Sequence, residues 1–347
     1  MSVDNLDSAD LKAVEFGGLI REDVMDQIAR IDNYPFPFQD AIASDSVSNS
    51  YTEWTTDEMA PQDLDNANVD GAALTGNDAK TGARVGNHCQ IPSKIVQVSS
   101  RADASDTIGR ATELAYQVMH RQRDLRQDVE GIMLSNQASV ADDGNTTPGR
   151  LGALGAWLET NTSRGTGGAD GGFNAGIVAA PTPGEARGLT ETLVRDIAQA
   201  CWEEGSDPSV AMSVPGVIRG LSEYLFTESA RIATLQRNEQ GMGPGTALGT
   251  VNVMILDFDV TLTLVANRKQ PTYQSSDGAP VDVANLYILD PRYARQGILR
   301  GYQTESQGKP GLSEIRQITV DLTLKVLNEK AHGVIADIDP TIAVTQA

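Results

Sequence analysis

Two aspartates, Asp257 and Asp259, close the apolar run VNVMIL, and Thr261 follows at the same spacing. Carboxylates at i and i+2 on an extended backbone point to one side. Paired carboxylates are residue types that nucleophilic, acid–base and metal-assisted chemistry can use. The same letters also make a hairpin. TLTLVANRK reads as a second strand, and Asp257-Phe258-Asp259 then becomes its tight turn. Other chemistry is thinner still. GMGPGTALGT has no lysine for a phosphate loop and no strand–turn–helix context. His88, His120 and His332 are too dispersed for a metal cluster, and Cys89 beside His88 is a lone pair. Asp142-Asp143 and Asp337/Asp339 read as solvated carboxylates. Arg121, Arg123 and Arg126 alternate with Asp124 and Asp128, as on a helix face laced with ion pairs. No serine or cysteine has a base partner nearby. The sequence assigns no catalytic residue, no cofactor and no metal.

The elements that must position these side chains belong to a folded chain of 347 residues, 40% hydrophobic and 21% charged, long enough for more than one packing unit. Its net charge is −20, and the first eighty residues hold 17 acids against 4 bases. That sign repels nucleic acid, whose binding needs basic surface. An acidic arm that is solvated or seeks a basic partner fits better. No apolar run is long enough to cross a membrane, and MSVDNLDSADLK lacks a signal pattern. Two distant cysteines, Cys89 and Cys201, read as free thiols of a reducing compartment.

The spacing of Leu114, Val118, Leu125, Val129, Ile132 and Met133 predicts one long helix over 111–135, about 38 Å at the standard rise. It reads as a strut for sheets, with Asp106 or Thr107 as a cap. Pro35 and Pro37 force extended chain before it, where Phe36 and Phe38 read as anchors on this chain or a neighbour. Residues 46–98 read as two strand-like arms around a polar excursion, a long hairpin-like loop with Tyr51 and Trp54 on its first arm. The glycine-rich 141–185 stretch has little to bury, Trp157 being its one large side chain. LTETLVRDIAQACWEEG and VIRGLSEYLFTESARI are helical, the first with Thr190 as N-cap and Gly205 just past its end. VAMS, VNVMILD, VTLTLVA and Ala284–Leu289 are strands. Ile318, Val320, Leu322, Leu324 and Val326 keep a period of two in one long strand, out of phase with Ile315. The order of elements points to an α+β fold with antiparallel sheets.

RQRDLRQDVEGIML with Asp128 and Glu130, GALGAWLETN with Trp157 and Asn161, LTETLVRDIAQACWEEGSDP, NLYILDPR with Asp290 and Pro291, and LTLKVLNEKAHGVI with Asn328 and His332 occur in one order. Together, across roughly residues 18–337, they resemble the tailed-bacteriophage major capsid proteins. Asp321 stands where that family would carry a glutamate. The resemblance implies a Hong Kong 97-type fold. Residues 1–45 would be the N-terminal arm and 46–98 the extended loop. The peripheral domain would take 99–140, with its spine helix, and the long strand and C-terminus at 311–347. Residues 141–185 would be a loop or insertion, and 186–310 the axial domain. The implied function is self-assembly into the hexamers and pentamers of an icosahedral head in the host bacterial cytoplasm. Double-stranded DNA would lie inside without sequence-specific contact. Scaffolding, portal and cement proteins are the implied partners, with Phe36, Phe38, Tyr51 and Trp54 the expected assembly contacts. VMILDFDVTLT also resembles the nucleophile motif of haloacid-dehalogenase-type phosphatases, although Val260 replaces the usual glycine. That resemblance implies a Mg-dependent phosphatase as the alternative function.

Overall fold

The computed structural model describes residues 35–59, 62–68, 70–71, 79, 81–105, 107, 109–236, 252–256, 260–309 and 311–345, with 226–236 described by backbone alone. The amphipathic Asp23–Ile31 stretch, Asp106, Asp257 and Asp259 lie outside the described residues.

Pro37 opens a single helical turn, α1 (Pro37–Ala41), at the position where a missing N–H costs nothing. Next come β1 (Ala43–Ser46), β2 (Tyr51–Thr56), β3 (Ala83–His88) and β4 (Ser93–Ser99). β2 and β3 pair antiparallel from Tyr51↔His88 to Thr56↔Ala83, so the long loop is carried on a true hairpin. A short helix α2 (Ser100–Ala104) leads to the strut, α3 (Glu113–Met133), which is 21 residues or about 31 Å long. Thr107 does not cap α3, since its hydroxyl bonds Arg110 O. Instead the Asp103 carboxylate of α2 accepts the Leu114 N–H at 3.0 Å, placing negative charge at the positive end of the helix.

The expected long strand is β13 (Ser313–Val326), 14 residues. It pairs antiparallel with β12 (Ala294–Gln307), which the sequence had grouped with the 186–310 segment. The four-stranded sheet therefore runs β1-β12-β13-β4 and draws on both sides of that boundary. Val96 and Val98 of β4, with Ile318, Val320, Leu322 and Leu324 of β13, pack into one core with Leu125, Val129 and Met133 of α3. The period-two and helical patterns meet there.

A second sheet has the order β5-β14-β11-β8-β10-β9. Its strands are β5 (Thr162–Ser163), β8 (Val210–Ser213), β9 (Val253–Ile255), β10 (Thr261–Ala266), β11 (Ala284–Leu289) and β14 (Gly333–Ile338). Both sheets are mixed, which corrects the antiparallel expectation. β8 and β10 run parallel, as do β1 with β12 and β5 with β14. A parallel neighbour needs a crossover, and α6 (Pro215–Gln236) lies between β8 and β10 in the chain. α5 (Glu191–Glu203) and α6 bury Val194, Ile197, Val217, Ile218 and Leu221 against one face of this sheet. Met212, Tyr287, Val334 and Ala336 enter the first core from its other face. Burial on both faces explains why β11 and β14 are buried throughout without alternation.

The glycine-rich stretch overturns the expectation that it buries little. Leu151, Ala153, Leu154, Ala156, Trp157 and Leu158 are all buried, and α4 (Leu154–Trp157) crosses the core. Small residues here permit close approach. A Cβ added at Gly152 would sit 2.7 Å from the Cβ of Val178, which belongs to the hairpin β6 (Gly172–Asn174) and β7 (Ile177–Ala179).

Candidate functional site

Glu130 sits where three parts of the chain meet. It lies on the buried face of α3 and is fully inaccessible. One carboxylate oxygen accepts the Phe38 N–H and the Asn267 side-chain amide, each at 2.7 Å. The other accepts the Gln39 N–H at 3.0 Å and the Gln39 side-chain amide at 3.1 Å. Glu130 thus ties the first turn of α1 and the end of β10 to the spine helix. Phe38 is buried in the core, and Phe36 is buried beneath the Arg126 guanidinium, 5.2 Å from its ring. Both anchors therefore close on their own chain. Of the two placements expected, this chain or a neighbour, Phe36 and Phe38 take the first here, because the α1 turn swings their rings inward.

The base of the β2–β3 hairpin is clamped in the same way. The Trp54 indole N–H donates to Val326 O at 3.0 Å, and the Trp54 ring lies 5.5 Å from Trp157. Trp157 stacks on Phe173 at 5.6 Å with an interplanar angle of 2° and donates to Gly152 O. Trp54, expected at a contact with a neighbour, is engaged within its own chain. Tyr51 packs on His88 at 4.6 Å and lies over Gly86, where a Cβ would come 2.7 Å from its ring. Beyond the β2–β3 pairing, Met59 and Leu64 are 96% and 90% exposed.

The other motif residues hold turns. Asp290 is buried and caps the single 3-10 turn that Pro291 begins. Burial acts to raise its pKa, but the bonds from Arg292 at 2.6 to 3.1 Å outweigh this and hold it below the usual carboxylate range. The Asp290 N–H approaches His332 Nδ1 at 3.4 Å, and complete burial pushes the His332 pKa down to about 4. Asn328 caps the turn Glu329–Ala331. Lys330 beside it lies 3.1 Å from Glu58 of the hairpin and 3.4 Å from Glu204 after α5. Asp128 pairs with Lys94 at 2.5 Å on a half-exposed surface.

Burial raises the Cys89 thiol to about 11 and the Cys201 thiol to about 12, so both stay protonated at neutral pH. Among the described residues no group of three or more His, Cys, Asp or Glu could hold a metal ion. No described helix is long and apolar enough to cross a membrane. β9 and β10, on either side of the two aspartates, pair antiparallel, and the Leu256 N–H donates to Val260 O at 2.9 Å. The flanking strands are thus those of a hairpin and not of a strand–helix unit. Sequence reasoning missed Asn267 and Asn87. Asn87 is a buried side chain bonded to both Gly152 and Leu324. An asparagine within or just after a strand gives no local signal of such a role.

The model of the SU10 major capsid protein family matches residues 6–339. The major capsid protein of Escherichia phage Phieco32 is 25% identical over 331 residues, covering 86% of this chain and 89% of that protein. The solved structure described as Mycobacterium phage Bobi superposes with a TM-score of 0.57 at 10% identity, over 96% of this chain and 99% of that one. The capsid of the native GTA particle gives 0.57 at 12% identity, over 96% and 100%. The holo-SrpI encapsulin complex of Synechococcus elongatus PCC 7942 gives 0.53 at 11%, over 98% of both chains. The fold is thus that of the Hong Kong 97-type capsid chains. This chain belongs to the SU10 major capsid protein family and is the shell-building protein of a tailed phage.

Proposed function

We propose that copies of this chain join through the loop carried on the β2–β3 hairpin, which reaches over a neighbouring subunit. In this reading they gather as hexamers and pentamers of an icosahedral head around double-stranded DNA, assembled in the cytoplasm of the bacterial host. The division into N-terminal arm (1–45), extended loop (46–98), peripheral domain (99–140 and 311–347), glycine-rich segment (141–185) and axial domain (186–310) goes with it. Scaffolding, portal and cement proteins are the partners such a head calls for. The chain contributes surfaces and no catalytic step. A net charge of −20 suits a shell that encloses a polyanion without gripping it.

One observation carries the reading: Met59 and Leu64 stand almost fully exposed in the loop that the β2–β3 hairpin carries. Burying two such side chains on a neighbour contributes about 3 kcal/mol or more per contact, about two powers of ten in association. The double variant Met59→Asp, Leu64→Asp is expected to keep the subunit's circular dichroism and melting temperature. Electron microscopy should then show no shells. Shells at the wild-type protein concentration would defeat the proposal.

A further inference from the structure

β4 ends its sheet: β13 lies on one side, and among the described residues no strand lies on the other. The bonds to β13 come from alternate residues. Ser100 N–H donates to Leu312 O, Val320 N–H donates to Pro92 O, and Gln90 and Leu322 exchange both bonds. With Ser99 opposite Ser313 and Lys94 opposite Ile318, the even-numbered residues of β4 face β13. The peptide groups of Ser93, Ile95, Gln97 and Ser99 therefore point away from the sheet. A row of outward donors and acceptors is a template for one more strand.

Proteins guard such an edge with charge, proline or a bulge. None of the three stands at the outward positions of β4, whose register with β13 is unbroken. Its one charged side chain, Lys94, is drawn back onto Asp128 of α3. Ile95, by contrast, is 63% exposed near the middle of the edge. Between the edge and α3 runs a groove of about 380 Å³, with Gln117 and Arg121 in its wall, which leaves room for the side chains of an added strand.

We infer that β4 of one subunit adds to β4 of another, antiparallel about Ile95, so that two four-stranded sheets join across a two-fold axis. An antiparallel copy of the same strand fits this edge at every outward position. An axis at Ile95 sets Ser93 against Gln97 of the other copy, Gln97 against its Ser93, and the two exposed Ile95 side chains against each other. Charge agrees with the same axis. Asp128 stands beside Lys94 at one half of the strand, and Arg121 beside the half from Ile95 to Ser99. The axis exchanges the halves, so half-exposed Arg121 comes to the side of half-exposed Asp128 of the other copy. Lys94 and Arg121 against Asp124 and Asp128 also make this rim neutral on a chain of charge −20. The contact is separate from the loop of the β2–β3 hairpin and stands whether or not that loop reaches a neighbour.

In Ile95→Cys the two thiols face each other at the Cα spacing of a hydrogen-bonded antiparallel pair, about 5.5 Å, within disulfide reach. Copper phenanthroline should turn more than half of the concentrated full-length chain into a dimer on non-reducing electrophoresis. The wild type, whose Cys89 and Cys201 are buried, should give less than a tenth of that yield. Ser99→Cys should stay at the wild-type level, because the axis sets Ser99 against Ile91 and keeps the two thiols far apart. Gln97→Pro removes an outward N–H that serves no bond within the sheet. Added to Ile95→Cys, it should leave the melting temperature within a few degrees and cut the dimer at least fivefold. Equal yields from Ile95→Cys and Ser99→Cys overturn the pairing, and so does a yield indifferent to Gln97→Pro. A collapse of the melting temperature in Gln97→Pro overturns it as well, since that N–H would then be bonded within the subunit. Slow hydrogen exchange at Ile95 and Gln97 of the dissociated subunit has the same force, because the chain would then cover its own edge.

Discussion

At the scale of single residues, the recurrent solution in this chain is a buried polar side chain that holds a turn. His332 makes the consequence measurable. Its folded pKa is about 4, against an ordinary value of 6.5, because burial disfavours the charged ring. Between those values the unfolded chain binds the proton and the folded chain does not. The full stability is therefore present above about pH 6.5 and is lost as pH falls toward 4, by about 3 kcal/mol once both values are passed. Asp45, held by Lys325, and Asp290, held by Arg292 against its burial, have pKa values below the usual carboxylate range. Their contributions persist through this window and fade only at lower pH. Urea midpoints at pH 7, 6 and 5 should fall for the wild-type subunit by the equivalent of about 2 kcal/mol. In His332→Gln, less stable at pH 7, the fall over the same interval should be close to absent. A parallel fall in both proteins would assign the acid sensitivity to other groups.

At the scale of elements, Glu130 ties α1, α3 and the end of β10 in the second sheet together. All four of its partners are donors, two backbone N–H groups and two side-chain amides. A carboxylate, which only accepts, is what they require. Glu130→Gln would turn an N–H₂ toward donors, and Glu130→Ala would leave four donors without an acceptor. Breaking a buried charged network of this kind costs about 3–5 kcal/mol. Both variants should show that loss in denaturant titration, and limited proteolysis should first cut near residues 35–42, where α1 loses its hold. A loss below about 1 kcal/mol in Glu130→Ala would mean that water replaces the side chain. The sequence announced α3, α5 and β13 because long periodic runs average over local noise. β12 went unread: its buried residues Ala294, Gln296 and Gly297 are small or polar, and the rest of the strand is half-buried or exposed. The glycine-rich segment was misread for a related reason. Its apolar content, LGALGAWL, is compact, and composition alone does not reveal that glycines let backbones approach. The junction at Glu130 was visible as a motif residue but not as a junction. Its partners stand about ninety residues before it and 137 after it, and no local pattern encodes such a meeting.

At the scale of the whole molecule, each subunit carries a charge of −20 into contact with others of the same sign. The hairpin's own ion pairs close internally, Glu53 with Arg84 and Glu58 with Lys330. Long-range repulsion between copies is therefore the dominant electrostatic effect during approach, and salt screens it over about 10 Å at 0.1 M. The contacts proposed to hold copies together, Met59 and Leu64, are apolar and respond weakly to salt. The concentration of subunit at which light scattering first reports assembly should then fall as sodium chloride rises from 0.05 to 0.5 M. A threshold that rises with salt would mean that the acidic first eighty residues find basic surface on a neighbour, and that attraction, not screened repulsion, governs how the shell begins.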